Sequence, residues 1–135
     1  MKVAVFTPYL PYPPDTGGKI RSFHLLRALA TRFEVDLFTV YDRPEPPPED
    51  VEALEEFCHR VILLHLERSW RLRHRVWQAI DPLPRSVHYF HTQSSLQLAR
   101  RHLLNGEYDV VLADELCMTP YAELAADVPM LIMRQ

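Results

Sequence analysis

Apolar, strand-like runs alternate with helical segments along this chain of 135 residues, and this alternation limits the possible folds more than any other feature. We predict strands near residues 2–7, 34–41, 60–66, 109–113 and 129–134. Helices are predicted near residues 19–31, 49–57, 68–80, 93–105 and 116–126. Strands that alternate with helices form a parallel sheet, because each helix carries the chain back to the same end. The predicted fold class is α/β, a single domain with helices on both faces of a parallel sheet.

Helix boundaries are marked by charged residues, glycine and proline. The proline run at residues 44–48 precedes Glu49 and Asp50, whose negative charges suit the start of a helix. Asn105 and Gly106 predict the end of a helix just before a strand that begins at Asp109. On the first helix, the apolar stripe predicted to face the sheet contains Phe23, Leu26, Leu29 and Ala30.

Composition is that of an ordinary globular domain, with 47% hydrophobic and 24% charged residues. A net charge of −3 gives no general attraction to nucleic acid, so we expect no nucleic-acid partner. Cys58 and Cys117 lie far apart without a CxxC motif. That spacing favours buried, reduced thiols over a disulfide or a metal site.

No apolar run reaches the roughly 18 residues that cross a bilayer. The first residues enter a strand without a signal-peptide cleavage pattern, so the sequence predicts a cytoplasmic protein. Residues 128–135 read as a buried strand that ends abruptly. We therefore expect the chain to be part of a longer protein.

Two of the three glycines, Gly17 and Gly18, stand where the first helix begins. The free N–H groups of such a helix start lie beside the carboxyl end of the preceding strand, where they bind anions. Lys19 and Arg21 follow in the first turn, where the helix dipole disfavours cations by about 0.3–1 kcal/mol each. An anion bound among them would explain both charges. The alternative is a solvated loop with two ordinary surface cations.

Three segments carry a resemblance to a known family. Residues 12–26 (YPPDTGGKIRSFHLL) resemble the amino-terminal segment of the group-1 glycosyltransferases, glycosyltransferase family four. Residues 34–39 (EVDLFT) resemble the second strand of that family, and residues 108–115 (YDVVLADE) with 118–122 (MTPYA) resemble a later strand and helix. The resemblance implies a Rossmann-like sheet, the acceptor-side half of a GT-B fold, with a second, donor-binding domain beyond the 135 residues.

The resemblance also implies a substrate and a set of binding residues. The donor would be a nucleotide-diphosphate sugar, the acceptor a glycan or a lipid-linked hydroxyl, and no metal cofactor is expected. The backbone at Gly17 and Gly18 would approach the donor diphosphate or an acceptor phosphate, and a Cβ would block that approach. The candidate phosphate-binding residues are Asp15, Gly17, Gly18, Lys19, Arg21 and His24. Asp15 or Thr16 is also a candidate helix cap.

Asp114 and Glu115 follow the strand near residues 109–113 and are the candidate catalytic residues. Carboxylates at that edge can accept hydrogen bonds from hydroxyl groups or take a proton from an attacking hydroxyl. Many family members carry a histidine about here, and this chain does not. A pair of acids that simply starts a helix is the alternative.

An arginine-rich helix is predicted near residues 68–80, with Trp70 and Trp77 one heptad apart. Trp70, Arg71 and Arg75 are candidates for contact with anionic lipid at a membrane surface. The alternative is an ordinary surface helix whose tryptophans pack into the core. Two Glu-x7-Glu spacings are expected by chance in this chain, so they predict no donor site. The pair His88 and His91 predicts no metal site, because no third ligand accompanies it.

Two other classes of protein remain as alternatives to a transferase. One is a stand-alone flavodoxin-like binding module without catalysis, and the other is a membrane-docking module. A phosphoryl-accepting receiver would need acids directly after the first strand, where this chain has Thr7 and Pro8. A nicotinamide-binding domain would need G-x-G-x-x-G at the same place, and the loop lacks it.

Overall fold

Five parallel strands form the sheet of the computed structural model, which describes residues 1–42, 44–66 and 89–133. The strands are β1 (Lys2–Thr7), β2 (Glu34–Tyr41), β3 (Arg60–His65), β4 (Val110–Ala113) and β5 (Met130–Ile132). Their order across the sheet is β3-β2-β1-β4-β5. The predicted α/β class with a parallel, Rossmann-like sheet is confirmed.

Helices cover the sheet on both faces. They are α1 (Gly17–Ala30), α2 (Pro48–Glu55), α3 (Gln93–Gly106) and the short α4 (Thr119–Ala122), and a 3₁₀ turn spans Leu116–Met118. In β1, Val3 and Val5 face a core shared with α1 and α2, whereas Ala4 and Phe6 face a core shared with α3 and α4. This alternation is the period of two that a sheet buried on both faces requires. The helix predicted near residues 68–80 lies outside the described residues.

The single helix predicted over residues 116–126 is wrong. A 3₁₀ turn at Leu116–Met118 leads into α4, which ends at Ala122. Pro120 explains the interruption, because it has no N–H to donate to the carbonyl of Leu116. The hydroxyl of Thr119 donates to that carbonyl instead, at 2.7 Å.

The end of α3 also differs from the prediction. The helix runs through Gly106, and the left-handed residue that ends it is Glu107, with φ of 50°. Gly106 is needed for another reason: a Cβ there would lie 2.1 Å from Cε2 of the Tyr108 ring. Gly106 therefore makes room for Tyr108.

β5 is not the buried strand that the sequence predicted. Met130, Leu131 and Ile132 are 39%, 57% and 38% exposed. Among residues 1–42, 44–66 and 89–133, the strand pairs with β4 alone, so it forms an edge of the sheet that these residues build. The expectation of two free, buried cysteines is confirmed for Cys58 and Cys117, and burial raises the pKa of each thiol to about 12.

A buried aspartate lies at the amino-terminal end of the sheet. Asp36 of β2 is fully buried, and its Oδ2 accepts hydrogen bonds from the Tyr108 hydroxyl at 2.5 Å and from Arg60 Nη2 at 2.9 Å. His59 Nδ1 lies 2.8 Å from Oδ1, and Lys2 Nζ lies 3.5 Å from Oδ2. The network joins β1, β2 and β3 to the start of β4, so it fixes the register of four strands.

Acid is expected to destabilise the fold through Asp36. Burial alone would raise the pKa of its carboxyl, but the hydrogen bonds from Tyr108, Arg60 and His59 hold it below the ordinary value of 3.8. A lowered pKa gives stability that is present above the unfolded pKa and is lost as pH falls through the folded one. The free energy of unfolding, measured with urea, should therefore fall between pH 6 and 2 in the unmodified protein. Asp36→Asn should lack the part of this fall that Asp36 contributes. Equal pH slopes for the two proteins would contradict this account.

Candidate functional site

The strand order creates a crevice between β1 and β4. The connection that follows β1 leads to β2 on one side of β1, whereas the connection that follows β4 leads to β5 on the opposite side. These two connections therefore diverge at the carboxyl ends of β1 and β4. In open parallel sheets, ligands bind at such a switch point. The loop after β1, the start of α1 and the residues after β4 surround this crevice. All the candidate catalytic and phosphate-binding residues therefore come to one edge of the sheet.

The N-terminus of α1 presents backbone donors to this crevice. Thr16 is the N-cap residue, and its side chain makes no capping hydrogen bond. The first intrahelical bond runs from the N–H of Ile20 to the carbonyl of Thr16, at 2.8 Å. Among the described residues, no acceptor pairs with the N–H groups of Gly17, Gly18 and Lys19. These three amides have the geometry that binds an anion at a helix start.

The two glycines have different neighbours. A Cβ at Gly17 would meet nothing within 4 Å, whereas a Cβ at Gly18 would lie 2.3 Å from the hydroxyl oxygen of Tyr9. From the sequence, both glycines were predicted to allow the close approach of a phosphate ligand. The structure shows that Gly18 also admits the protein's own Tyr9, which lies over the helix start.

Alanine substitutions at the two glycines should separate these roles. Gly17→Ala is expected to raise the free energy of unfolding by about 0.5 kcal/mol, because both glycines have helical φ and alanine restricts the unfolded chain. Gly18→Ala should displace Tyr9 and break its hydrogen bond to Glu115. Urea unfolding and the aromatic NMR signals of Tyr9 would measure both effects. If Gly18→Ala were as stable as Gly17→Ala, with unchanged Tyr9 signals, the close contact would be refuted.

Asp114 is a buried anchor for α1. It is fully buried, and its Oδ2 accepts a hydrogen bond from the hydroxyl of Ser22. Arg21 Nη2 lies 3.1 Å from Oδ1 and donates to the backbone carbonyl of Asp114 at 3.3 Å. Ser22 and Arg21 thus tie the first turns of α1 to the end of β4. Asp114 contacts both Ser22 and Arg21, and its catalytic role stays a prediction from the sequence.

Glu115 is the carboxylate of the predicted pair that a ligand in the crevice can reach. Its side chain is 24% exposed, and its Oε1 lies 3.9 Å from Arg21 Nη2. The Tyr9 hydroxyl donates to the same Oε1 at 2.9 Å. Burial, and then this bond to Glu115, raise the pKa of the Tyr9 hydroxyl. Tyr9 and Glu115 therefore bridge the two loops that border the crevice.

The other predicted site residues lie at the same edge or outside the described residues. Lys19 Nζ pairs with Asp15 at 3.3 Å, and both side chains are partly exposed. His24 is exposed on α1 and packs edge-on against Phe23. The membrane-facing candidates Trp70, Arg71 and Arg75 lie outside the described residues.

Sequence reasoning missed Tyr9 and Ser22. Tyr9 is one aromatic residue in a proline-rich loop, and nothing local shows that it reaches Glu115. Ser22 lies four residues before the buried Leu26, so both face the sheet from α1. A small polar residue on the buried face of the first helix was therefore an available signal.

One group of side chains at the opposite end of the sheet has metal-ligand chemistry. Glu34, Asp36 and His59 each offer a ligand atom within 4.8 Å of the others. Lys2 Nζ already lies 3.5 Å from both carboxylates, and Arg60 pairs with Asp36. These cations neutralise the group and oppose a divalent ion.

In the part of the chain that the structure describes, no helix is long and apolar enough to cross a membrane.

Comparison with known proteins supports the architecture. No family model matches the chain, and no curated protein matches it in sequence. Among solved structures, it is similar to the C-terminal domain of PF1911 hydrogenase from Pyrococcus furiosus. The two share 15% sequence identity with a TM-score of 0.57, over 97% of this chain and 89% of that one. At this identity the likeness concerns the fold alone.

Proposed function

We propose that this chain is the acceptor-side domain of a glycosyltransferase that uses a nucleotide-diphosphate sugar. The observation that carries the proposal is the set of amides at Gly17, Gly18 and Lys19, which have no acceptor among the described residues and lie beside Arg21 at the switch point of the sheet. Backbone donors and a guanidinium together suit a diphosphate or a phosphate. The sequence resemblance at residues 12–26 supplies the choice of a sugar donor over other diphosphates.

In the proposed reaction, an acceptor hydroxyl attacks the anomeric carbon of the donor sugar. The new glycosidic C–O bond forms, and the bond from that carbon to the diphosphate breaks. The diphosphate leaves with the bonding electron pair, and the α1 amides and Arg21 stabilise its charge, so the proposal needs no metal. The hydroxyl proton passes to Glu115, the less buried member of the carboxylate pair, or to solvent.

The proposal includes a second domain and a location. A further domain would hold most of the nucleotide, so the 135 residues alone would bind the donor weakly and transfer nothing. The enzyme would act in the cytoplasm on a glycan or a lipid-linked acceptor. Peripheral contact with anionic lipid through Trp70, Arg71 and Arg75 stays a prediction from the sequence.

A binding module without catalysis is the second candidate. The same amides and Arg21 would serve it equally, because capture of a phosphate needs no group that accepts a proton. The role of Glu115 separates the two candidates. In a transferase Glu115 affects turnover of the longer protein, and in a binding module it has no turnover to affect.

Calorimetric titration of the chain with nucleotide-diphosphate sugars and with the parent nucleosides tests the proposal. We expect weak binding of the diphosphates only, reduced by Lys19→Gln and unaffected by Arg100→Gln on the exposed surface of α3. Equal binding of nucleosides and diphosphates would contradict the phosphate site. Robust sugar transfer by these 135 residues would contradict the placement of the donor site in another domain.

A further inference from the structure

Three buried side-chain oxygens lack a full set of hydrogen bonds among the described residues. Thr7 Oγ1 and Thr39 Oγ1 have no partner, and Asp114 Oδ1 has only the ion-pair contact of Arg21 Nη2 at 3.1 Å. The sheet register brings them together. Thr39 of β2 lies opposite Thr7 of β1, and Phe6 lies opposite Ala113, so Asp114 follows beside Thr7. The N–H of Asp114 continues the ladder by donating to the carbonyl of Phe6 at 3.0 Å. The three oxygens thus form one row across three neighbouring strands, which we name the polar row.

The polar row faces α1. Thr7 lies two residues after Val5, and Thr39 two residues after Leu37, so each threonine is on the same face of the sheet as its neighbour. Val5 and Leu37 pack in the core shared by α1 and α2. Asp114 faces the same helix, because it accepts the hydrogen bond from Ser22. All three members of the row are fully buried. The row therefore lies on the face of the sheet that packs against α1.

Buried hydroxyls in native proteins are nearly always hydrogen-bonded, to protein or to ordered water. Neighbouring strands lie about 4.8 Å apart, and one water with two bonds of about 2.8 Å spans up to about 5.6 Å. The strand spacing therefore matches the span of one bridging water between adjacent members of the row, which would supply two of the polar partners that an internal water needs. A ligand from solvent does not reach the row while α1 covers it.

We propose that the polar row is an internal hydration site, with water bridging Thr39 to Thr7 and Thr7 to Asp114. Arg21 Nη2 lies 3.1 Å from Oδ1 of Asp114, and the proposed water donates to the same oxygen. The site thereby keeps the Asp114 carboxylate solvated and able to hold Arg21 in place. This inference goes beyond the proposed function and does not rest on it.

A crystal structure of the chain at high resolution tests the proposal directly. The expected result is ordered water within hydrogen-bond distance of Thr7 Oγ1 and of Thr39 Oγ1 or Asp114 Oδ1. Hydroxyls that bond to protein carbonyls, with no water between the strands, would overturn it. This measurement needs only the unmodified protein, so a variant that fails to fold does not affect it.

Isosteric substitutions give a second readout. Thr7→Val and Thr39→Val keep the β-branched shape but remove the hydroxyl, so each should lower Tm by about 3–6 °C if water is bound there. Thr7→Ser keeps the hydroxyl and should retain the water. Valine variants with unchanged or raised Tm would show a dry row and overturn the proposal.

Discussion

Asp36→Asn is expected to lower the free energy of unfolding by about 3 kcal/mol, the lower end of the range for breaking a buried ion pair. The asparagine keeps the shape of the side chain but removes the charge that Arg60 and Lys2 neutralise. Its amide N–H₂ would also face other donors, among them the Tyr108 hydroxyl. We expect the smaller loss of free energy because Arg60 is 43% exposed, so its guanidinium can turn to solvent when the ion pair is broken.

Urea unfolding of Asp36→Asn beside Asp109→Asn provides the matched comparison. Asp109 accepts a hydrogen bond from the backbone N–H of Lys2 at 2.7 Å, but at an exposed position. The Asp109 variant should therefore lose less than about 1 kcal/mol, as exposed polar contacts do. Equal losses in the two variants would show that burial of Asp36 adds nothing, which would contradict its place at the centre of the network.

Arg21→Gln is expected to weaken the binding of pyrophosphate by about 10- to 100-fold, because a hydrogen bond to a charged group contributes about 1.5–3 kcal/mol. The guanidinium is the cation that α1 extends across the crevice to Asp114 and Glu115. Its loss removes charge from the site and also leaves the buried Asp114 without its ion pair. Calorimetric titration with pyrophosphate measures the affinity.

Arg27→Gln is the matched control for this variant, because Arg27 lies on the same helix and packs over the Phe23 ring away from the helix start. Pyrophosphate affinity should be unchanged by this substitution. Arg21→Lys should keep the charge and recover part of the affinity. If Arg21→Gln and Arg27→Gln bound pyrophosphate equally, Arg21 would have no part in anion binding.

Hydrophobic periodicity was sufficient to predict the sheet and the helices α1, α2 and α3, because each buries a regular face. The prediction failed where one residue or a distant neighbour decides the local structure. Pro120 interrupts the segment after β4, and the apolar run of β5 does not show that this strand lies at the edge of the described sheet. Asp36 reads as one polar residue within a strand. Its partners Lys2 and Tyr108 come from distant parts of the chain, so no local sequence pattern shows that its carboxylate is hydrogen-bonded and ion-paired.

The sequence predicted that the candidate site residues meet at one edge of the sheet, but not the contacts that they make with one another. Ligands bind at the carboxyl ends of parallel strands, and this rule selected the glycine loop and the residues after β4. The rule does not show which of Asp114 and Glu115 is buried. Ser22 and Arg21 enclose the carboxylate of Asp114, whereas Tyr9 contacts the partly exposed carboxylate of Glu115.

The helix-start amides at the switch point are proposed to bind an anionic ligand. Amide NMR spectra of the chain recorded during titration with a nucleotide-diphosphate sugar measure this most directly. We predict that the largest chemical-shift changes occur at Gly17, Gly18 and Lys19 and at the side chain of Arg21. Shifts centred on Lys2 and Arg60 at the opposite end of the sheet, with the α1 amides unchanged, would contradict the claim.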